Sequence, residues 1–315
     1  MTRVASIDIG TNTIRLLIAD VDKTKELSRI LIKRNITRLG EGFIKKREIS
    51  GKAIQRSIKV LKEYLNLVNE YSAKKTLAVA TSAVREAANK NEFLMEVYRN
   101  TGLEIQVVSE KEEAGMTLTG VLSIINEVIG RALVIDIGGG STEYIIIEGK
   151  IPVTTHSLDL GAVYLTERFI HTDPPTSLEL QNLREFVDKR LSSLPWVGFS
   201  FSSLLGTAGT ITTLAAIDQE MSAYDPEKIN KYVLTREAVK SIYDSLKSLN
   251  RVERCLTPGL ERGREDIILA GTIVLLSIME TLNSNGITVS DFGLLEGIIM
   301  DSYGKIENLF LEYGA

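Results

Sequence analysis

Two acids and three glycines within one short stretch are the residues best suited to chemistry in this chain. In Leu133–Ile147, Asp136 precedes Gly138-Gly139-Gly140-Ser141 and Glu143 follows it, with runs rich in Val and Ile on both sides. Runs of that length and composition read as buried strands, so the glycines form a tight strand-to-strand turn. Without Cβ atoms, a row of backbone N–H groups can approach an anion closely. A carboxylate beside bound phosphate would repel it unless a cation such as Mg2+ lay between, and Mg2+ commonly takes one or two carboxylates together with phosphate oxygens. Taken alone, the stretch fits a glycine-rich hairpin with a solvated aspartate equally well.

A second copy of the pattern stands near the amino terminus. In Ala5–Ala19 the run Ile7-Asp8-Ile9-Gly10 aligns with Ile135-Asp136-Ile137-Gly138, the turn is Gly10-Thr11-Asn12-Thr13, and Arg15 takes the place of Glu143. Two strand-turn-strand units, each opening a half of the chain, predict two related α/β domains with their turns aimed at one cleft. The first hairpin returns with an arginine suited to an anion, the second with a glutamate suited to a metal.

The elements between these hairpins carry further candidates. Residues 29–47 hold Arg29, Lys33, Arg34, Arg38, Lys45, Lys46 and Arg47 against one acid, Glu41, around a glycine-containing loop. The strip reads either as a path for an extended anion or as a solvated basic face. Ser50 caps a predicted helix whose core stripe is Ile54, Ile58, Leu61, Leu65 and Val68. After a strand from Leu77, Thr81 or Ser82 caps a helix with Arg85 in its first turn. A cation there suggests a nearby anion, either a ligand or an acid such as Glu86. Ser109 and Glu112 form a capping box and leave Glu113 to serve the helix dipole or to act as a general base.

Farther on, Leu204–Leu214 reads as a third strand, Gly turn and helix. Gly206, Thr207, Gly209 and Thr210 there either donate to phosphate or allow close helix-to-strand packing. Residues 218–235 read as a polar loop, and Arg251, Arg254, Arg262 and Arg264 either as cations facing the cleft or, as the sequence favours, as surface cations paired with neighbouring acids. Ile267–Met279 is a buried helix, too short and too interrupted to span a bilayer. The strand at Ile287 leads through a Gly turn into a last helix expected to pack back on the first domain.

Composition narrows the functional classes. The chain of 315 residues is long enough for two domains, and 44% apolar with 25% charged residues is ordinary for a globular protein. A net charge of −4 argues against a uniformly basic nucleic-acid surface, so no DNA partner is expected. The single cysteine, Cys255, excludes an internal disulfide, and only two histidines, His156 and His171, weigh against multi-histidine sites. With no signal segment, a cytoplasmic location and no membrane partner are expected.

Across nearly its whole length the sequence resembles the exopolyphosphatase/guanosine pentaphosphate phosphohydrolase family of the actin, Hsp70 and sugar-kinase superfamily. The landmarks are Asp8–Thr13, Arg38–Gly42, Ala80–Arg85, Ser109–Ala114, Asp136–Glu143, Gly206–Thr210 and Gly293–Gly297. The resemblance implies an α/β fold of two ribonuclease-H-like (actin-like ATPase) domains around a central cleft. The boundaries expected are 1–125 and 126–298, with a helix at about 299–315 returning to the first domain. It also implies Mg2+-assisted hydrolysis of the terminal phosphate of inorganic polyphosphate, or of pppGpp to ppGpp. Glu113 matches the catalytic base and Arg85 a phosphate-contacting arginine. Asp136 and Glu143 match metal positions, with Asp8 carried alongside them. The turns Gly10–Thr13 and Gly138–Ser141 match phosphate loops, and Arg15 and Arg264 match alarmone contacts. Leu295 stands where the family usually has arginine, which would remove one cation from the cleft, and longer members continue into C-terminal helical domains. An ATP-dependent kinase or actin-like ATPase and a non-catalytic polyphosphate or alarmone sensor are the alternatives of other classes, and a homodimer is left open.

Overall fold

The computed structural model describes residues 1–24, 26–43, 47–125, 127–195 and 199–303. The chain divides into two compact units, residues 1–120 together with those from 293 onward, and residues 121–292. The passages between the units therefore fall at 120/121 and 292/293, against the 125/126 and 298/299 expected from sequence. Lys45, Lys46 and the part of the expected C-terminal helix beyond residue 303 lie outside the described residues.

In the first unit the chain runs β1 (Thr2–Ile9), β2 (Thr13–Val21), β3 (Leu27–Ile36), α1 (Gly51–Glu70), β4 (Lys75–Ala80), α2 (Ser82–Glu86), α3 (Lys90–Thr101), β5 (Gln106–Val107) and α4 (Glu110–Ile124). The sheet order is β3-β2-β1-β4-β5, antiparallel across the first three strands and parallel from β1 to β5. Both faces of β1 are buried from Val4 to Ile9, Ser6 and Asp8 included. On one face Ala5, Ile7 and Ile9 meet the stripe of α1, including Ile54, Ile58, Leu61 and Val68. Ser50 caps α1 as expected, accepting from Ala53 N at 3.2 Å. Tyr64 in the same stripe is buried, with its hydroxyl 2.9 Å from both Ile14 O and Asn35 Oδ1, and burial pushes its pKa up.

The second unit contains β6 (Arg131–Ile137), β7 (Thr142–Glu148), β8 (Ile151–Leu158), α5 (Ala162–Phe169), α6 (Ser177–Leu191), β9 (Ser203–Thr207), α7 (Ala208–Asp218), α8 (Pro226–Ile229), β10 (Val233–Thr235), α9 (Arg236–Leu246), α10 (Arg251–Arg254), α11 (Ile268–Thr281) and β11 (Gly286–Val289). Its sheet order is β10-β11-β9-β6-β7-β8. The meander β6-β7-β8 and the parallel β6-β9-β11 repeat the plan of the first sheet, with β10 added at the edge. Helix α11 is buried along nearly its whole length, and each such Leu or Ile removed from water contributes roughly 1.5–3 kcal/mol. The final helix, α12 (Leu294–Asp301), belongs to the first unit. There Leu295 and Ile299 cover the second face of β1 and β2 through Val4, Leu17, Ala19 and Val21.

Three elements depart from the sequence reading. β3 is a full strand where only a basic strip and loop are legible, because its charged residues lie along the exposed edge of the sheet. The expected loop 218–235 contains α8 and β10. Helix α6, expected from Leu178 after the turn Asp173–Ser177, begins with a complete capping box, Thr176 with Glu179.

Glu179 also accepts from the Thr172 hydroxyl and from the backbone N–H groups of His171 and Thr176. The Thr172 hydroxyl first, followed by these other donors, holds its carboxyl at about 2, down from 4.5. A lowered folded-state pKa gives stability that is fully present above the unfolded value and is lost as pH falls through the folded one. Glu179→Gln should therefore melt lower than wild type at pH 6, and the difference should shrink between pH 4.5 and about 2. Thermal melts of both proteins across that range check this; a difference independent of pH would refute it.

Candidate active site

The two hairpins are built on the same register. In the first, Asp8 stands directly opposite Arg15; in the second, Asp136 stands opposite Glu143. Directly opposed residues of an antiparallel pair put their side chains on one face, Cβ to Cβ about 4.5–5.5 Å apart, so their charges are felt. The first pair neutralises itself: Arg15 Nε and Nη2 donate to Asp8 Oδ2 at 2.8 and 2.6 Å. Asp8 Oδ1 is buried and has no hydrogen-bond partner among the described residues. The second pair sets two carboxylates against each other, at 9% and 3% exposure. Ser141 and Ser157 hydroxyls both donate to Glu143 Oε1, at 2.6 and 3.0 Å, which fixes that side chain.

The second turn is held from behind by the start of α5. Ala162 N donates to Gly138 O, Val163 N and Tyr164 N to Gly139 O, and Gly161 N to Gly140 O, at 2.9–3.1 Å. The first N–H groups of a helix lack partners within it, and here the turn carbonyls satisfy them. In a planar trans peptide the N–H points opposite to the C=O. The amides of Gly139, Gly140 and Ser141 are therefore directed away from α5, a row suited to an anion. The contact requires glycine at 161, where a Cβ would lie 2.2–2.4 Å from the backbone of Gly139 and Gly140.

The first turn is held in the same way by a loop. Thr37 N and Arg38 N donate to Asn12 O at 3.0 and 2.9 Å, and Gly40 N donates to Thr11 O at 2.8 Å. By the same peptide geometry the amides of Asn12 and Thr13 point away from residues 37–40.

Glu113 and Arg85 come together at the edge of the first sheet. The capping box at Ser109 and Glu112 forms, with Ser109 N donating to Glu112 Oε2 at 2.7 Å, and the Ser109 hydroxyl, then its N–H, hold the Glu112 carboxyl low. This leaves Glu113, 8% exposed, one position along the first turn of α4. Arg85 Nη1 donates to Glu113 Oε2 at 2.7 Å and to Val108 O at 3.2 Å. Arg85 is thus paired with Glu113, and with Glu110 at 3.9 Å, while Glu86 accepts from the Ser82 hydroxyl. Thr81 is the residue preceding α2, but its hydroxyl makes no capping bond.

The donors at the second hairpin fit Mg2+. They are hard carboxylate oxygens beside outward amides, and a buried carboxylate pair calls for a cation between. No group of three or more His, Cys, Asp or Glu that could hold a metal ion gathers among the described residues.

Comparison with known proteins decides the family. Residues 17–306 match the model of the Ppx/GppA phosphatase family. The chain belongs to that family. Exopolyphosphatase 2 of Mycobacterium tuberculosis is 34% identical over 96% of this chain and 99% of its own length. The crystal structure of the Aquifex aeolicus Ppx/GppA family member, 38% identical, covers 96% of this chain and 97% of its own with a TM-score of 0.80. A crystal structure of an exopolyphosphatase from Cytophaga hutchinsonii, 26% identical, covers 98% and 99% with a TM-score of 0.89. This member of a phosphatase family thus has the two-domain α/β fold expected of it.

Other sequence candidates fall into different places. Gly206 has a packing reason, since a Cβ would lie 2.6 Å from Ile287 Cδ1 and 2.8 Å from Ile211 Cδ1. The Thr207 hydroxyl donates to Phe292 O at 3.1 Å, and Thr210 packs against Gly271. Gly209 lies under Arg264, whose guanidinium is so close that a Cβ would sit 2.2 Å from Nη2. Arg264 is not the surface cation expected: it is 8% exposed and its Nε donates to Glu261 at 2.6 Å. Arg254 is also buried, with Nε on Leu246 O and Nη1 on Glu265 O, and desolvation lowers its pKa. Leu295 lies in the core of the first unit. It is buried against Leu17 and Ile299 and its carbonyl accepts from Ser6 at 2.8 Å, so an apolar side chain suits this position.

Gly161→Ala should drive a methyl group into the backbone of the triple-glycine turn, and overpacking of this kind costs about 1–3 kcal/mol or more. Gly51→Ala, where a Cβ meets nothing within 4 Å, should be neutral or slightly stabilising. Thermal melting of the two variants beside wild type checks the contrast; equal melting temperatures would remove the proposed support for the turn.

Proposed function

We propose that this protein is an exopolyphosphatase that releases the terminal phosphate of inorganic polyphosphate with Mg2+. The observation that carries the reading is the contrast between the hairpins: the Asp8 charge is met by Arg15, whereas Asp136 and Glu143 oppose each other beside three outward amides. Its family membership and the exopolyphosphatases among its relatives support the same chemistry. A cytoplasmic location belongs to this proposal; among the described residues no helix is long and apolar enough to cross a membrane.

In this reading Asp136 and Glu143 would hold the ion. Bound Mg2+ supplies neutralisation of the charge that spreads over the phosphoryl oxygens. The amides of Gly139, Gly140 and Ser141 orient the phosphoryl oxygens, and those of Asn12 and Thr13 form a second row of donors within the first unit. Glu113 takes a proton from a water molecule whose oxygen forms the new bond to the terminal phosphorus. The bridging P–O bond breaks, and its electrons leave with the shortened chain. Arg85 orients Glu113 and contacts the phosphoryl group.

A second reading is hydrolysis of pppGpp to ppGpp, favoured by the buried Arg264 seated over Gly209 near the start of α7, which suits an additional anionic group.

Glu113→Gln keeps an acceptor for Arg85 but removes the base, so kcat should fall about a hundredfold or more while the fold is retained. Turnover at the wild-type rate would remove Glu113 from that role. Asp136→Asn should raise the Mg2+ concentration giving half-maximal phosphate release by about tenfold. Phosphate release measured in parallel on short polyphosphate, long polyphosphate, pppGpp and ATP separates the two hydrolase readings; preferential ATP turnover would overturn both.

A further inference from the structure

Ser157, near the end of β8, takes no part in the proton transfer or in phosphate binding, but it completes a row of three. Strand pairing sets Asp136 opposite Glu143 and Glu143 opposite Ser157, so the three side chains stand side by side on one face of the second sheet. The same row in the first sheet reads Asp8, Arg15 and Arg34. Its third place holds a cation in the hairpin suited to an anion and a neutral hydroxyl in the hairpin suited to a metal.

Glu143 is buried, and one of its oxygens accepts from both serines. The Ser141 hydroxyl donates to Oε1 at 2.6 Å, and the Ser157 hydroxyl donates to the same oxygen at 3.0 Å. An ionised carboxylate has about four lone-pair sites, two on each oxygen. Two donors on Oε1 use the sites of that oxygen, so a cation meeting Glu143 cannot take both oxygens at once. The donors belong to different elements, the triple-glycine turn and the edge strand β8, and turning the carboxylate would break both bonds. The chain after β8 is itself fastened to this hairpin. Thr142 Oγ1 donates to Leu160 O at 2.9 Å and Gly161 N to Gly140 O at 3.1 Å.

The number of carboxylate oxygens offered bears on the choice of ion. Ca2+ gathers about six to eight oxygen ligands in flexible geometry and often takes both oxygens of a glutamate. Mg2+ demands a near-ideal octahedron, keeps several waters and is served by single carboxylate oxygens. We propose that Ser157, together with Ser141, makes Glu143 a one-oxygen ligand and thereby sets the preference of this site for Mg2+ over Ca2+. Ser157 is a positioning residue that acts through Glu143. The inference deepens the Mg2+-dependent polyphosphate reading and rests on it for the place of the ion.

Mn2+ bound to the full chain without substrate, followed by electron paramagnetic resonance and displaced by Mg2+ or by Ca2+, gives a Kd for each ion. The ratio of the Ca2+ to the Mg2+ value reads the preference. Ser157 is half-buried, so alanine fits its place. Ser157→Ala should lower the ratio about tenfold, chiefly by tightening Ca2+, whereas Ser157→Thr, which keeps the hydroxyl, should stay within about twofold of wild type. Ser141→Ala should shift the ratio in the same direction, and it decides the matter should Ser157→Ala fail to fold. A residue that only supported the strand would change both constants alike or neither, so an unchanged ratio overturns the inference. If the ratio shifts but wild type releases no phosphate from tripolyphosphate, the role of Ser157 stands and the exopolyphosphatase reading falls. If wild type releases phosphate but binds no Mn2+, the inference falls and the reaction stands. Absence of both would overturn both.

Discussion

The engagement of turn carbonyls from behind is the constraint on which the rest of the candidate site depends. A glycine-rich turn can point its amides in many directions. In the second unit the first N–H groups of α5 take the carbonyls of Gly138, Gly139 and Gly140, and planarity of the peptide then directs the next amides the other way. One set of hydrogen bonds thus satisfies a helix start and orients a row of amides suited to an anion. The close approach of Gly161 to Gly139 and Gly140 shows how little room that arrangement has for adjustment.

The first unit reaches the same arrangement with different parts. Loop 37–40 replaces the helix start, and an arginine replaces the glutamate across the hairpin. Both sheets share the meander-then-parallel plan, which gives the two turns a common setting. The side chains explain the division of labour: a self-neutralised Asp8–Arg15 pair in one hairpin, and in the other a carboxylate pair that calls for a cation. The basic strip is divided as well. Arg29 is committed to Glu296, at 2.6 Å, tying β3 to α12, whereas the Arg38 backbone amide donates to Asn12 O on the first turn.

Much of this was legible from local pattern. The paired hairpins, the stripe of α1, the capping box at Ser109 and the buried α11 follow from period and spacing, because hydrogen bonds and burial there involve neighbours in sequence. Residues whose roles depend on distant partners were not. Arg254 and Arg264 look like surface cations beside acids, yet folding buries both, one on the carbonyls of Leu246 and Glu265 and the other over Gly209. Leu295 looks like a lost cation until α12 is seen packed on β1 and β2.

The sequence by itself determined the two hairpins, the residue types at their mouths and the family, since these rest on spacing within short stretches. Only the tertiary structure decided which charges meet. Arg85 with Glu113, 28 positions apart, and Arg29 with Glu296, 267 apart, are pairs that no local rule selects. The same holds for the carbonyls that α5 and loop 37–40 take from the turns, because hydrogen-bond direction depends on where the chain returns. Strand pairing sets which residues stand opposite, and the return of the chain sets what stands behind them.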